Sequence, residues 1–225
     1  MGNIPAAHLL LARVRESQGA TIDEIRKIFA DAIKVAPTDA VIRAQLIDTN
    51  LRAKQVKEAL VAAQSAQSAI PDDIYLLDAV GRTQALAGDT QQALNTFRRA
   101  ASLDVRVATP HVRVAAIQRE LGNTAAAVAA LARAIEIDPA QGQAREDLIT
   151  ILIGRKQGAQ AVQVAREMQQ KAPDAEAGYL LEAATHSRLN KPDEAITVLK
   201  LGMSKAANKA EIARQLYRQL LAAQD

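Results

Sequence analysis

Three histidines, 25 acidic side chains and no cysteine bound the chemistry open to this chain. His8, His111 and His186 lie far apart in sequence, whereas a metal site or an acid–base pair needs several ligands converging on one point. Without cysteine there is no disulfide, thiolate zinc site, iron–sulfur cluster or cysteine nucleophile. Gly154 and Gly158 bracket Arg155-Lys156-Gln157; this lacks phosphate-loop spacing and reads as a turn between helices. No zinc-protease helix, nucleophile elbow or dinucleotide fingerprint is present. The carboxylates are expected on solvated helix faces, pairing locally at i, i+4. No enzyme is expected, and no cofactor or metal.

The charge balance disfavours nucleic acid. The 28 Lys and Arg exceed the 25 Asp and Glu by only three over 225 residues, and the basic pairs Arg26-Lys27 and Arg98-Arg99 are isolated. Phosphate tracking needs a positive stripe, and single-strand binding needs stacking aromatics. The aromatics are only Phe29, Phe97, Tyr75, Tyr179 and Tyr217. The longest apolar run, Ala125 to Ala132, is too short to span a bilayer. The 49% hydrophobic and 24% charged content fits a continuous packed core.

The elements that would position any site follow from a repeat. Proline ends helices, and Pro37, Pro71, Pro139 and Pro173 stand 34, 68 and 34 residues apart. The step that misses a proline lands on Val105, after Ala100-Ala101-Ser102-Leu103-Asp104, which parallels Ala134-Ile135-Glu136-Ile137-Asp138 before Pro139. A second register at the same period of 34 is Ile25, Ala59, Ala93, Ala127, Ala161 and Ala195; a third is Ala32, Ala66, Ala100, Ala134, Met168 and Gly202. Turns within the units read Gln18-Gly19, Ala87-Gly88-Asp89, Leu121-Gly122-Asn123 and Leu189-Asn190-Lys191, where Gly and Asn tolerate the left-handed conformation that closes a helix.

A period of 34 with small residues at fixed offsets resembles the tetratricopeptide repeat, a helix–turn–helix unit. In that family a unit carries bulky residues at positions 4, 7, 11 and 24, small ones at 8, 20 and 27, and proline at 32. The unit from Ile74 to Val107 supplies Leu77, Val80, Gly81, Ala93, Phe97 and Ala100; the next supplies Val114, Ala115, Ala127, Leu131, Ala134 and Pro139. Ile47 and Ile149 depart at position 8, and Gln84 at position 11. All three histidines fall where the family packs aromatics. The resemblance implies an all-α, right-handed α-solenoid: a single array over 1–225, with six units at about 6–39, 40–73, 74–107, 108–141, 142–175 and 176–209. The segment 210–225 would be a capping helix or the first helix of a seventh unit.

In the family, positions 2, 5, 6, 9, 12 and 13 of each unit face a concave groove that takes a protein or peptide partner. Carried onto this chain, they give the candidates Arg13, Gln45, Asp48, Tyr75, Asp78, Arg82, Arg113, Arg119, Glu146 and Thr150. Tyr75, Arg82, Arg113 and Arg119 are the expected anchors, because Tyr and Arg combine contact area with directed hydrogen bonds. The co-chaperone clamp for C-terminal carboxylates would need Lys at 5 and Asn at 9. Asp78 and Arg82, or Val112 and Ala116, stand there instead.

The stretches Ala165–Asp174, Gly178–Ala183 and Ala213–Ala222 further resemble the large tetratricopeptide lipoproteins of the bacterial PEP-CTERM and exosortase system, the PrsT-type family. That resemblance implies a fragment of a longer array, lipid-anchored in the periplasm in the full-length protein, serving envelope protein sorting or exopolysaccharide assembly. The competing expectation is a cytoplasmic adaptor, or the regulatory arm of a larger enzyme. Ala213, Leu216 and Leu220 would give an apolar end face open to end-to-end self-association.

Overall fold

A computed structural model describes residues 4–223. The described chain is an all-α helical-repeat solenoid, with no strand among the described residues. It divides into two compact units, 1–123 and 124–225. The first holds α1 (Ile4–Ser17), α2 (Ile22–Val35), α3 (Ala40–Arg52), α4 (Val56–Ala69), α5 (Ile74–Leu86), α6 (Thr90–Leu103) and α7 (Thr109–Glu120). The second holds α8 (Thr124–Ile137), α9 (Gly142–Gly154), α10 (Gly158–Lys171), α11 (Glu176–Arg188), α12 (Pro192–Lys205) and α13 (Ala210–Ala222). From α3 onward, the odd-numbered helices start at Ala40, Ile74, Thr109, Gly142, Glu176 and Ala210, one every 33 to 35 residues.

Helices of 12 to 14 residues are marginal alone, so their stability comes from packing against neighbours. The periodic small residues make that packing close. Ile25, Ala59, Ala93, Ala127, Ala161 and Ala195 are all completely buried. Ala32, Ala66, Ala100 and Ala134 are buried as well, as is Gly202, while Met168 is half-buried. At Gly81 an added Cβ would stand 2.5 Å from the Phe97 ring. The aromatic on α6 therefore occupies the space that α5 leaves open.

Turn chemistry recurs with the same period. Lys54, Gly88, Gly122, Lys156 and Asn190, 34 residues apart, all have positive φ, between 57° and 87°, and Gly19 does the same in the first hairpin. Each turn closes with a pair of crossed backbone bonds, such as Asp89 N–H to Gln84 C=O at 2.9 Å and Gly88 N–H to Ala85 C=O at 3.0 Å. This is the Schellman arrangement, which satisfies the last helical carbonyls. Helix starts are set less uniformly. Asp39 and Asp73 cap α3 and α5 through Ile42 N–H (2.9 Å) and Leu76 N–H (2.8 Å), and Thr21 forms a capping box with Glu24.

Some interior positions are polar. Asn50, Gln84 and Gln118, also 34 apart, are buried near the ends of α3, α5 and α7. Each amide oxygen accepts one bond: from Arg26 Nε (2.6 Å), Thr96 Oγ1 (2.7 Å) and Asn123 Nδ2 (2.9 Å) respectively. At the fourth position of their units, Arg43, Arg145 and Tyr179 reach back to the carbonyls of Pro37, Pro139 and Pro173. Arg145 is fully buried. Its guanidinium donates to Pro139 C=O (3.1 and 3.3 Å) and Val164 C=O (3.2 Å), and burial pulls its pKa below the usual arginine range.

Lysine in the left-handed region is strained, by about 1–2 kcal/mol. Glycine at Lys54 or Lys156 relieves that strain at some cost in unfolded-state entropy. Each Lys→Gly substitution is expected to stabilise the protein by about 0.5–1 kcal/mol and raise Tm by about 1–4 °C in calorimetry. A lower Tm would contradict the turn assignment.

Candidate partner-binding face

Six of the ten expected groove residues converge in the first unit, on one face built from α3, α5 and α7. Asp48 on α3, Arg82 and Asp78 on α5 and Arg113 on α7 form a chain of alternating charge. Arg82 Nη2 lies 2.7 Å from Asp48 Oδ1, and its Nε lies 2.9 Å from Asp78 Oδ2. Arg113 engages the same carboxylate with both arms of its fork, Nε to Asp78 Oδ1 at 2.7 Å and Nη2 to Oδ2 at 3.4 Å. The repeat explains the placement, since Asp48 and Arg82 are 34 residues apart and successive units bring equivalent turns side by side. Burial works against the Arg82 charge, but Asp48 and Asp78 outweigh it and hold its pKa above the ordinary arginine value.

Tyr75 stands beside this chain with half of its surface exposed, its hydroxyl 3.5 Å from Gln45 Nε2. Tyr75, Asp78 and Thr109 edge a cavity of about 430 Å³ whose other walls are apolar, chiefly Ile74, Phe97, Val107 and Pro110. A cleft of this size and lining fits a large side chain of a partner. The face thus offers an apolar recess with a polar rim, the composition that interfaces favour at their centres.

The remaining expected residues stand outside this network. Arg13 on α1 and Arg119 on α7 are exposed, and their side chains make no hydrogen bond or ion pair with another described residue. In the second unit Glu146 is exposed on α9, and Thr150 accepts a bond from Arg188 Nη2 on α11 at 3.0 Å. Arg82 and Arg113, the expected anchors, direct their guanidinium forks at Asp48 and Asp78. The ladder is therefore neutralised, and Tyr75 is a large side chain beside it with half of its surface exposed.

His186 is buried, and His8 and His111 are half-buried. His186 Nε2 is 3.8 Å from Glu182 Oε1, beyond hydrogen-bond range. The buried Glu182 is held instead by Arg166 (2.8 and 3.1 Å) and Gln169 (3.2 Å). Among the described residues no group of three or more His, Asp or Glu could share a metal ion, and no helix is long and apolar enough to cross a membrane.

Fold and face together define an all-α helical-repeat protein. The tetratricopeptide repeat family model matches residues 108–141. No curated protein matches the sequence. Solved structures do. A tetratricopeptide repeat protein from Parabacteroides merdae ATCC 43184 is 15% identical with a TM-score of 0.61, over 99% of this chain and 88% of that one. The pilF protein of Pseudomonas aeruginosa is 13% identical with a TM-score of 0.66, over 89% and 91%. YrrB, described as a TPR protein with an unusual peptide-binding site, is 15% identical with a TM-score of 0.53, over 88% and 98%. At these identities the likeness is one of fold.

Asp78 bridges two arginines in partial contact with water, where ion pairs contribute little individually. Asp78→Ala is expected to cost about 1 kcal/mol in chemical denaturation, with the difference shrinking as salt is added. A loss that salt does not change would mean that Asp78 acts through packing.

Proposed function

We propose that this protein is a non-enzymatic interaction scaffold that binds a peptide or protein partner on the face formed by α3, α5 and α7, with Tyr75 as the central contact. The observation that carries this reading is the largely apolar cavity that Tyr75 and Asp78 edge beside the charge ladder. The core does not need such a recess: a well-packed interior leaves few voids of that size. Fold supports the reading in general terms, since repeat arrays present extended surfaces to partners, and a protein of the same fold is described as having a peptide-binding site.

We further propose that the partner belongs to the bacterial envelope, in protein sorting or exopolysaccharide assembly, and that the full-length protein is lipid-anchored in the periplasm. The support is the resemblance of Ala165–Asp174, Gly178–Ala183 and Ala213–Ala222 to the PrsT-type lipoproteins. An export signal followed by a cysteine for lipidation, in the full-length gene, is expected. An adjoining catalytic domain would instead support a regulatory arm of an enzyme.

The functional test is a pulldown from the native host's envelope fraction, followed by titration of the captured partner. Tyr75→Ala is expected to weaken binding by tenfold or more, about 1.4 kcal/mol, without moving Tm. Arg82→Glu with Arg113→Glu is expected to abolish binding while the helical signal is kept. Unchanged affinity in both variants would contradict this placement.

A further inference from the structure

The second unit carries a cleft of a different character. On α11, Ala177, Leu180, Leu181 and Ala184 recur at the i, i+3, i+4, i+7 spacing of one helical face. They line a cavity of about 400 Å³ with Glu146 on one side and Glu211, Gln215 and Gln219 on the other. Ala177 and Ala184 are exposed, and Leu180 and Leu181 are half-buried. These four are positions 2, 5, 6 and 9 of their unit, whose equivalents in the unit from Ile74 are Tyr75, Asp78, Ala79 and Arg82. An apolar floor thus replaces a largely polar one.

The walls add charge. The Glu146 carboxylate makes no hydrogen bond or ion pair with another described residue and is exposed. Glu211 is held by Arg214 and by Gln215. The nearby cation Arg188 is directed at Thr150. An unpaired carboxylate beside an apolar recess is complementary to a side chain of the opposite sign.

We propose that this cleft is a docking site for a partner segment in which a large aliphatic or aromatic side chain lies next to a lysine or arginine. The apolar side chain fills the recess over Leu180 and Leu181, and its basic neighbour meets Glu146. The inference rests on the scaffold reading above and assigns a ligand chemistry to a second face.

The test is selection of random linear peptides displayed on phage against the whole chain, followed by anisotropy titrations of the selected peptides as labelled synthetic probes. Selected sequences are expected to pair Leu, Ile, Met or Phe with Lys or Arg. Ala184→Arg, a change at an exposed position that closes the cleft, is expected to weaken them by tenfold or more; Glu146→Lys is expected to weaken them by roughly tenfold, with affinity falling as salt rises. Tyr75→Ala is expected to leave them unchanged. Failure to enrich any sequence, sequences without that pairing, or insensitivity to Ala184→Arg would overturn the proposal. Peptides lost with Tyr75→Ala but kept with Ala184→Arg would overturn it while leaving the first face standing. Light scattering showing a dimer that Ala184→Arg dissociates would assign the cleft to a second copy of the chain and equally overturn it.

Discussion

Close approach of neighbouring helices through alanine and glycine is the constraint on which the rest depends. Ala59, Ala93, Ala127, Ala161 and Ala195 carry the smallest side chain that still favours helix, and none exposes any surface. Interiors packed to this density tolerate little change in volume. Where the residue shrinks to glycine, as at Gly81, an aromatic moves in: Phe97 sits where a Cβ would be. Holding the helices this near fixes the lateral offset between equivalent turns, and the offset generates the charge ladder. Asp48 meets Arg82, and Asp78 meets Arg113, because each pair is one repeat apart and one helix width away.

The same geometry sets how the interior handles polarity. Four units carry a polar residue where the family packs an aromatic, at Asn50, Gln84, Gln118 and His186, all buried. A buried amide without a partner costs more than a made hydrogen bond contributes. Asn50, Gln84 and Gln118 each have a partner for the amide oxygen, so that penalty is avoided at these oxygens. Arg43, Arg145 and Tyr179 solve a related problem, filling a bulky position with their stems while their polar ends bond the preceding proline's carbonyl.

The architecture was legible because it is periodic: the proline and alanine registers, read over six steps, foretell where the odd-numbered helices begin. The left-handed turns were legible at Gly19, Gly88, Gly122 and Asn190, where the residue type announces the backbone. Lys54 and Lys156 adopt the same conformation without announcing it, because position in the repeat overrides residue preference. The face was legible in its membership, since Gln45, Asp48, Tyr75, Asp78, Arg82 and Arg113 do converge. Its electrostatics were not, because a list of positions does not say which guanidinium finds a carboxylate. The buried amides carried a signal, the 34-residue spacing of Asn50, Gln84 and Gln118. So did the apolar stripe on α11, visible at groove positions 2, 5, 6 and 9 once apolar residues are considered beside polar ones.

Both faces are built on odd-numbered helices, and the even-numbered helices supply the alanines that hold them in place. The proposed primary recognition surface is the face of α3, α5 and α7 in the first unit. The direct measurement is amide hydrogen exchange on the chain with and without its captured partner. New protection is expected in α5 around Tyr75 and in the adjoining turns of α3 and α7. Protection confined to α4 and α6, with α5 unchanged, would contradict it.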